Sequence, residues 1–178
     1  MKIAILVEGE TENAFKEKLH EFLKSFLKQE MPRLDFKPQH GRIPKEGKLK
    51  RVVENLLNNN GYDAVIALTD IYTGTKDFQT AEDAKAKMMQ WVGNNPKFYP
   101  HVALHDFEAW LLLYWNTIQK LVAHNRSAPS GSPETVNHNK PPAYRIKEIF
   151  ELGKSGNSYN KPIHGKRILK GNDLMVAI

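Results

Sequence analysis

Apolar, strand-like runs recur along this chain, and segments of helical period separate them. Residues 2–7 (KIAILV), 62–68 (YDAVIAL) and 98–104 (FYPHVAL) read as strands, and residues 34–37 as a shorter one. From residue 11 the period changes: Phe15, Leu19, Phe22, Leu23, Phe26 and Leu27 follow helical spacing, with Lys and Glu between them. Further helices are predicted over 49–58, from Thr80 as N-cap to Gly93, over 109–122 and over 143–152. Strands alternating with helices of this length predict an α/β domain, a mainly parallel four-stranded sheet flanked by helices. Such a sheet places its ligand crevice outside the carboxyl ends of its strands.

Residues 1–122 are read as this core and 123–178 as a loop-rich helical extension packed on it. Residues 124–140 are rich in Ser, Pro, Asn and Gly, and 153–172 read as a basic loop. The sequence stops at Ile178 inside what reads as a helix opened by Asn172, the pattern expected of a truncated chain. No secretory signal is visible, and the longest apolar run, 109–115, is too short to span a bilayer. The expectation is a soluble cytoplasmic protein that does not enter a membrane.

With 178 residues there is enough chain to bury a core. With no cysteine, disulfides, thiol catalysis and zinc–thiolate sites are excluded. A net charge of +6 points to an anionic partner, nucleic acid first.

Acids follow the strands. Glu8 comes after the first, Asp70 after the run at 62–68, and Glu108 after the run at 98–104. Strand ends are where a parallel sheet gathers ligands, so the three carboxylates can converge on one point, which is unfavourable without a proton or cation. Oxygen donors without sulfur suit Mg²⁺ or Mn²⁺. Acids in such places also serve as helix caps or solvated loop residues. Glu10 is read that way, as a helix-start acid favoured by the dipole, whereas Glu12, one turn beyond Glu8, can reach the same site.

Glu8-Gly9-Glu10-Thr11-Glu12 after a strand resembles the E-G-x-[ST]-E opening of Toprim-like domains in OLD-type and RloB-like proteins. Asp70 resembles the first acid of their D-x-D motif, and Phe107-Glu108-Ala109-Trp110-Leu111 the F-E-x-W-L element of the RloB-like branch. Over roughly residues 1–122 the chain is similar to a small Toprim-like family often encoded beside ATPases in phage-defence loci. The resemblance implies a Toprim-like (Rossmann-like) fold and a divalent-metal nuclease site. Glu8 would be main ligand or general base, Glu12 a supporting acid, Asp70 a ligand and Glu108 a further acid. It also implies a partner ATPase. Tyr72 departs from the pattern, standing where the second Asp of D-x-D would be, and Asp77 farther along the loop is a candidate substitute.

The basic stretch 40–51 lacks P-loop spacing, because five residues separate Gly41 from Gly47 and Leu49 replaces the Ser/Thr. Arg42, Lys45 and Lys48 are instead candidate phosphate contacts, and His105 stands beside the expected crevice as a phosphate or proton contact. The sequence supports a Mg²⁺- or Mn²⁺-dependent nuclease, or a non-catalytic binding or regulatory subunit that keeps the fold.

Overall fold

Side chains alternate between the two faces of a strand, and here both faces are apolar. In the computed structural model, which describes residues 1–9, 15–27, 30–71, 77–104, 106–132, 140–153, 158–170 and 172, four strands form one sheet. They are β1 (Lys2–Val7), β2 (Arg33–Pro38), β3 (Ala64–Ile71) and β4 (Phe98–Leu104). The order is β2-β1-β3-β4 and every pairing is parallel. Because β2 and β3 lie on opposite sides of β1, chain direction across the sheet reverses there. The topological switch point falls between the carboxyl ends of β1 and β3.

One sheet face, with Ala4, Leu6, Val65 and Ala67, packs on Leu49 and Val53 of α2 (Glu46–Glu54) and Ala84 and Met88 of α3 (Ala81–Trp91). The other, with Ile5, Val7 and Leu34, meets Leu19 and Leu23 of α1 (Phe15–Phe26). Each fully buried Leu, Val or Met contributes about 1.5–3 kcal/mol. The strand ends are thus fixed by packing on two sides. Local signals set the helix limits: Thr80 Oγ1 accepts from Asp83 N at 3.1 Å at the start of α3, and Gly93 takes φ +71° just past its end.

The helix expected over 109–122 is broken into α4 (Glu108–Leu112) and α5 (Trp115–Val122). Seven consecutive apolar residues cannot all face one side of a single helix. At the break Tyr114 N bonds Leu111 O at 3.0 Å, a three-residue step that re-phases the chain. Leu111, Leu112, Tyr114, Trp115, Ile118 and Val122 are then all buried, and Leu113 turns outward.

The segment 153–172, expected to be loop, contains a helix, α7 (Lys161–Lys170). Asn160 starts it: its Oδ1 accepts from Ile163 N at 3.1 Å, and its own N–H donates to His164 Nδ1 at 2.8 Å. Lys166, Arg167 and Lys170 sit on its outer face, while Gly165, Ile168 and Leu169 are buried. With α6 (Pro142–Leu152), α7 packs on α4 and α5 in one cluster that includes Phe107, Ile146, Ile149 and Phe150. The cluster reaches the carboxyl end of β4 through Phe107. Among the described residues no helix is long and apolar enough to cross a membrane.

Candidate functional site

The register sets Val7 opposite Leu68, so the next step brings Glu8 beside Thr69. Glu8 Oε1 accepts a short hydrogen bond from Thr69 Oγ1 and a longer one, 3.4 Å, from Asp70 N. The backbone of Glu8 is also tied down: Gly41 N donates to its carbonyl at 2.6 Å, and Gln39 N to that of Val7 at 2.8 Å. That turn needs His40 at φ +55° and Gly41 at φ +122°, and only glycine adopts the second readily. It delivers Arg42, which buried Ile43 anchors next in sequence.

Glu8, Arg42, Lys45, Thr69, Asp70 and Asp77 line one small crevice at the switch point. Asp77 bridges the cations, its Oδ1 at 2.5 Å from Lys45 Nζ and its Oδ2 at 3.4 Å from Arg42 Nη1. The hydrogen bond from Lys45, with the charges of Lys45, Arg42 and Lys87, holds its carboxyl below the usual range. Glu8 goes the other way. Burial pushes its carboxyl above the ordinary glutamate value, outweighing the opposing pull of Thr69, the Asp70 amide and Arg42.

Alternation along β3 sends Thr69 to the α2/α3 face and Asp70 to the opposite one. On Asp70's side stands a second charged group. Glu108, 0 % exposed at the start of α4, receives Lys161 Nζ at 3.1 Å on Oε1 and 3.2 Å on Oε2. Tyr159 Oη donates to its Oε1 at 3.4 Å. Burial disfavours the charge on Lys161, yet Glu108 above all, with Asp106 and Asp70, outweighs it and raises the lysine's pKa. Burial and then Glu108 push the Tyr159 phenol upward, so it stays a donor. Lys161 therefore lies within the electrostatic reach of Asp70, on the face opposite Arg42 and Lys45.

The expected residues divide accordingly. Glu8, Asp70, Arg42 and Lys45 meet in the crevice. Glu108 gives its carboxylate to Lys161 and Tyr159. Lys48 is exposed on the first turn of α2, outside the lining. Glu10, Glu12, Tyr72 and His105 lie outside the described residues. Sequence reading overlooked Thr69, Tyr159, Asp106 and Lys161. The overlooked signal was Lys161 itself, since a cation in a helix's first turn opposes the dipole and calls for a carboxylate partner.

Among the described residues no three His, Asp or Glu side chains are grouped to hold a metal ion. Glu8 and Thr69 share one face of the sheet and Asp70 stands at the same strand end on the other, so a cation held by both acids would sit over the strand ends; magnesium, which binds through one or two carboxylates and keeps several waters, suits so thin a donor set. The space open to a water-sized sphere beside them is about 20 Å³, room for about one ion or water.

Comparison with known proteins supplies a family and a fold. Residues 7–178 match the family described as "Domain of unknown function (DUF4276)", not a Toprim or RloB-like one. No curated protein matches the chain. Among solved structures, the C-terminal region of the Burkholderia pseudomallei OLD protein is similar at a TM-score of 0.52 and 13 % identity, over 98 % of this chain and 90 % of that one. At that identity the likeness concerns the fold, the parallel sheet with its flanking helices.

Proposed function

The chain belongs to the DUF4276 family, and from its OLD-like fold and the chemistry at its switch point we propose that it is a Toprim-type, divalent-metal-dependent nuclease or phosphodiesterase. The observation that carries the reading is Glu8: a carboxylate held at the switch point beside Asp70, its pKa raised by burial, with Arg42 and Lys45 lining the same crevice. Mg²⁺ or Mn²⁺ held by Glu8 and Asp70 would polarise a phosphate oxygen and lower the pKa of a bound water.

The chain's own groups account for the rest. Arg42 and Lys45 receive a backbone phosphate on the α2 side. A glutamate whose pKa moves toward neutrality is the better general base, and the Thr69 hydroxyl fixes the direction of its carboxylate. Glu8 takes the proton of the attacking water as the new P–O bond forms, and as the ester P–O bond breaks its oxygen leaves as an alkoxide that takes a proton from solvent. Lys161, placed by Glu108 and Tyr159, offsets charge developing on the phosphate from the Asp70 side. The family resemblance extends the proposal to anti-phage defence with a partner ATPase.

A second reading, a non-catalytic nucleic-acid-binding or regulatory subunit, draws on one observation. Glu108 is committed to Lys161, and no group of three acids stands together among the described residues. Calorimetric titration with Mn²⁺ separates the two. Binding that disappears in both Glu8→Gln and Asp70→Asn supports the enzyme; no heat at millimolar metal supports the binding subunit.

A further inference from the structure

The crevice holds an anion of its own making. Two cations that approach from the loop before α2 converge on the Asp77 carboxylate, and each takes a different oxygen. Two non-bridging oxygens of a phosphate present the same pair of acceptors, and Arg and Lys are the usual donors to them. The rest of Asp77 is fixed. Lys87 Nζ donates to its carbonyl at 3.1 Å and to Asp83 Oδ2 at 2.9 Å, and neighbouring Phe78 packs on Trp91 with ring centroids 5.9 Å apart. With its carbonyl and its neighbour Phe78 so held, Asp77 can release the cations by turning its short side chain. Its ion pairs are partly exposed, with side-chain exposures of 57 % for Arg42, 46 % for Lys45 and 23 % for Asp77, and exposed pairs hold weakly.

We propose that Arg42 and Lys45 are the phosphate subsite of the crevice and that the Asp77 carboxylate occupies it as a stand-in anion, turning aside when a nucleic-acid phosphate binds. The inference rests on the proposed nucleic-acid function and adds a selectivity device to it. A lone phosphate must compete with a tethered carboxylate one for one. A polymer that makes further contacts along the basic surface displaces it at much lower concentration.

The test is binding of a short fluorescein-labelled single strand, followed by fluorescence anisotropy in EDTA so that no cleavage intervenes. Asp77→Asn keeps the shape and removes the charge. Relative to the unmodified chain it binds about 5- to 50-fold more tightly at low salt, with a log–log salt slope steeper by about one. Lys45→Gln in the same chain abolishes that gain. Inorganic phosphate competes with the strand at lower concentration in Asp77→Asn than in the unmodified chain. Equal or weaker binding by Asp77→Asn overturns the proposal, as does a gain that survives Lys45→Gln. Tighter phosphate with unchanged strand binding also overturns it, assigning the subsite to a small phosphorylated ligand. Hydrolysis in Mg²⁺ or Mn²⁺ is scored separately. Tighter binding without cleavage sinks the nuclease reading and leaves this one, and cleavage without tighter binding does the reverse.

Discussion

Replacing Lys161 with methionine isolates the buried ion pair that joins the C-terminal helices to the sheet's edge. Methionine keeps the length and apolar stem but leaves Glu108, 0 % exposed, without its cation. Stripping one partner from a fully buried pair costs about 3–5 kcal/mol. Lys161 is itself 50 % exposed, so water screens part of the attraction, and the cost expected here is about 2–3 kcal/mol. For a chain of this size that lowers Tm by about 4–12 °C. Adding Glu108→Gln removes the stranded charge and restores stability to within about 1 kcal/mol of the unmodified chain. Urea denaturation of the two single variants and the double at neutral pH measures all of this. A single-variant loss under about 0.5 kcal/mol, or a double variant no more stable than Lys161→Met, refutes the pairing argument.

Three other expectations bear on the site and its support. Glu8→Gln lowers cleavage about 10²–10⁴-fold, as expected for loss of a general base. It also raises thermal stability at neutral pH, because the raised pKa of Glu8 means its ionisation opposes folding; the stability gap over the unmodified chain should widen as pH rises. Thr69→Val removes the hydroxyl that favours the Glu8 carboxylate; the acidic limb of the kcat/KM profile moves to higher pH, with about tenfold lower activity near neutrality. Gly153→Ala puts a Cβ 2.6 Å from Val122 O and 2.8 Å from Val122 Cβ where α5 and α6 end together, and chemical denaturation should show about 1–3 kcal/mol lost.

The sheet was legible because its strands are buried on both faces, which leaves short continuous apolar runs that side-chain chemistry alone reveals. Acids at strand ends were legible too, and two of them, Glu8 and Asp70, line the crevice at the switch point, which only the strand order reveals. The limits came from tertiary pairing. Asp70 and Thr69 belong to the same strand yet face opposite sides of the sheet, and that division appears only once the packing of β3 is known. Lys161 lies 53 residues beyond Glu108, in a stretch whose positive charges hid a helix with Ile168 and Leu169 on its buried face. The break at Leu113–Tyr114 was equally hidden, since an unbroken apolar run carries no internal boundary.

The central claim, that the crevice at Glu8 and Asp70 hydrolyses phosphodiesters with a divalent ion, is tested most directly by cleavage of an end-labelled nucleic acid. Purified protein is incubated with Mn²⁺, with and without a candidate partner ATPase, beside Glu8→Gln and Asp70→Asn. Products from the unmodified chain that fall at least about 100-fold in both variants are the predicted result. No cleavage under either condition, or cleavage that both variants retain, contradicts it.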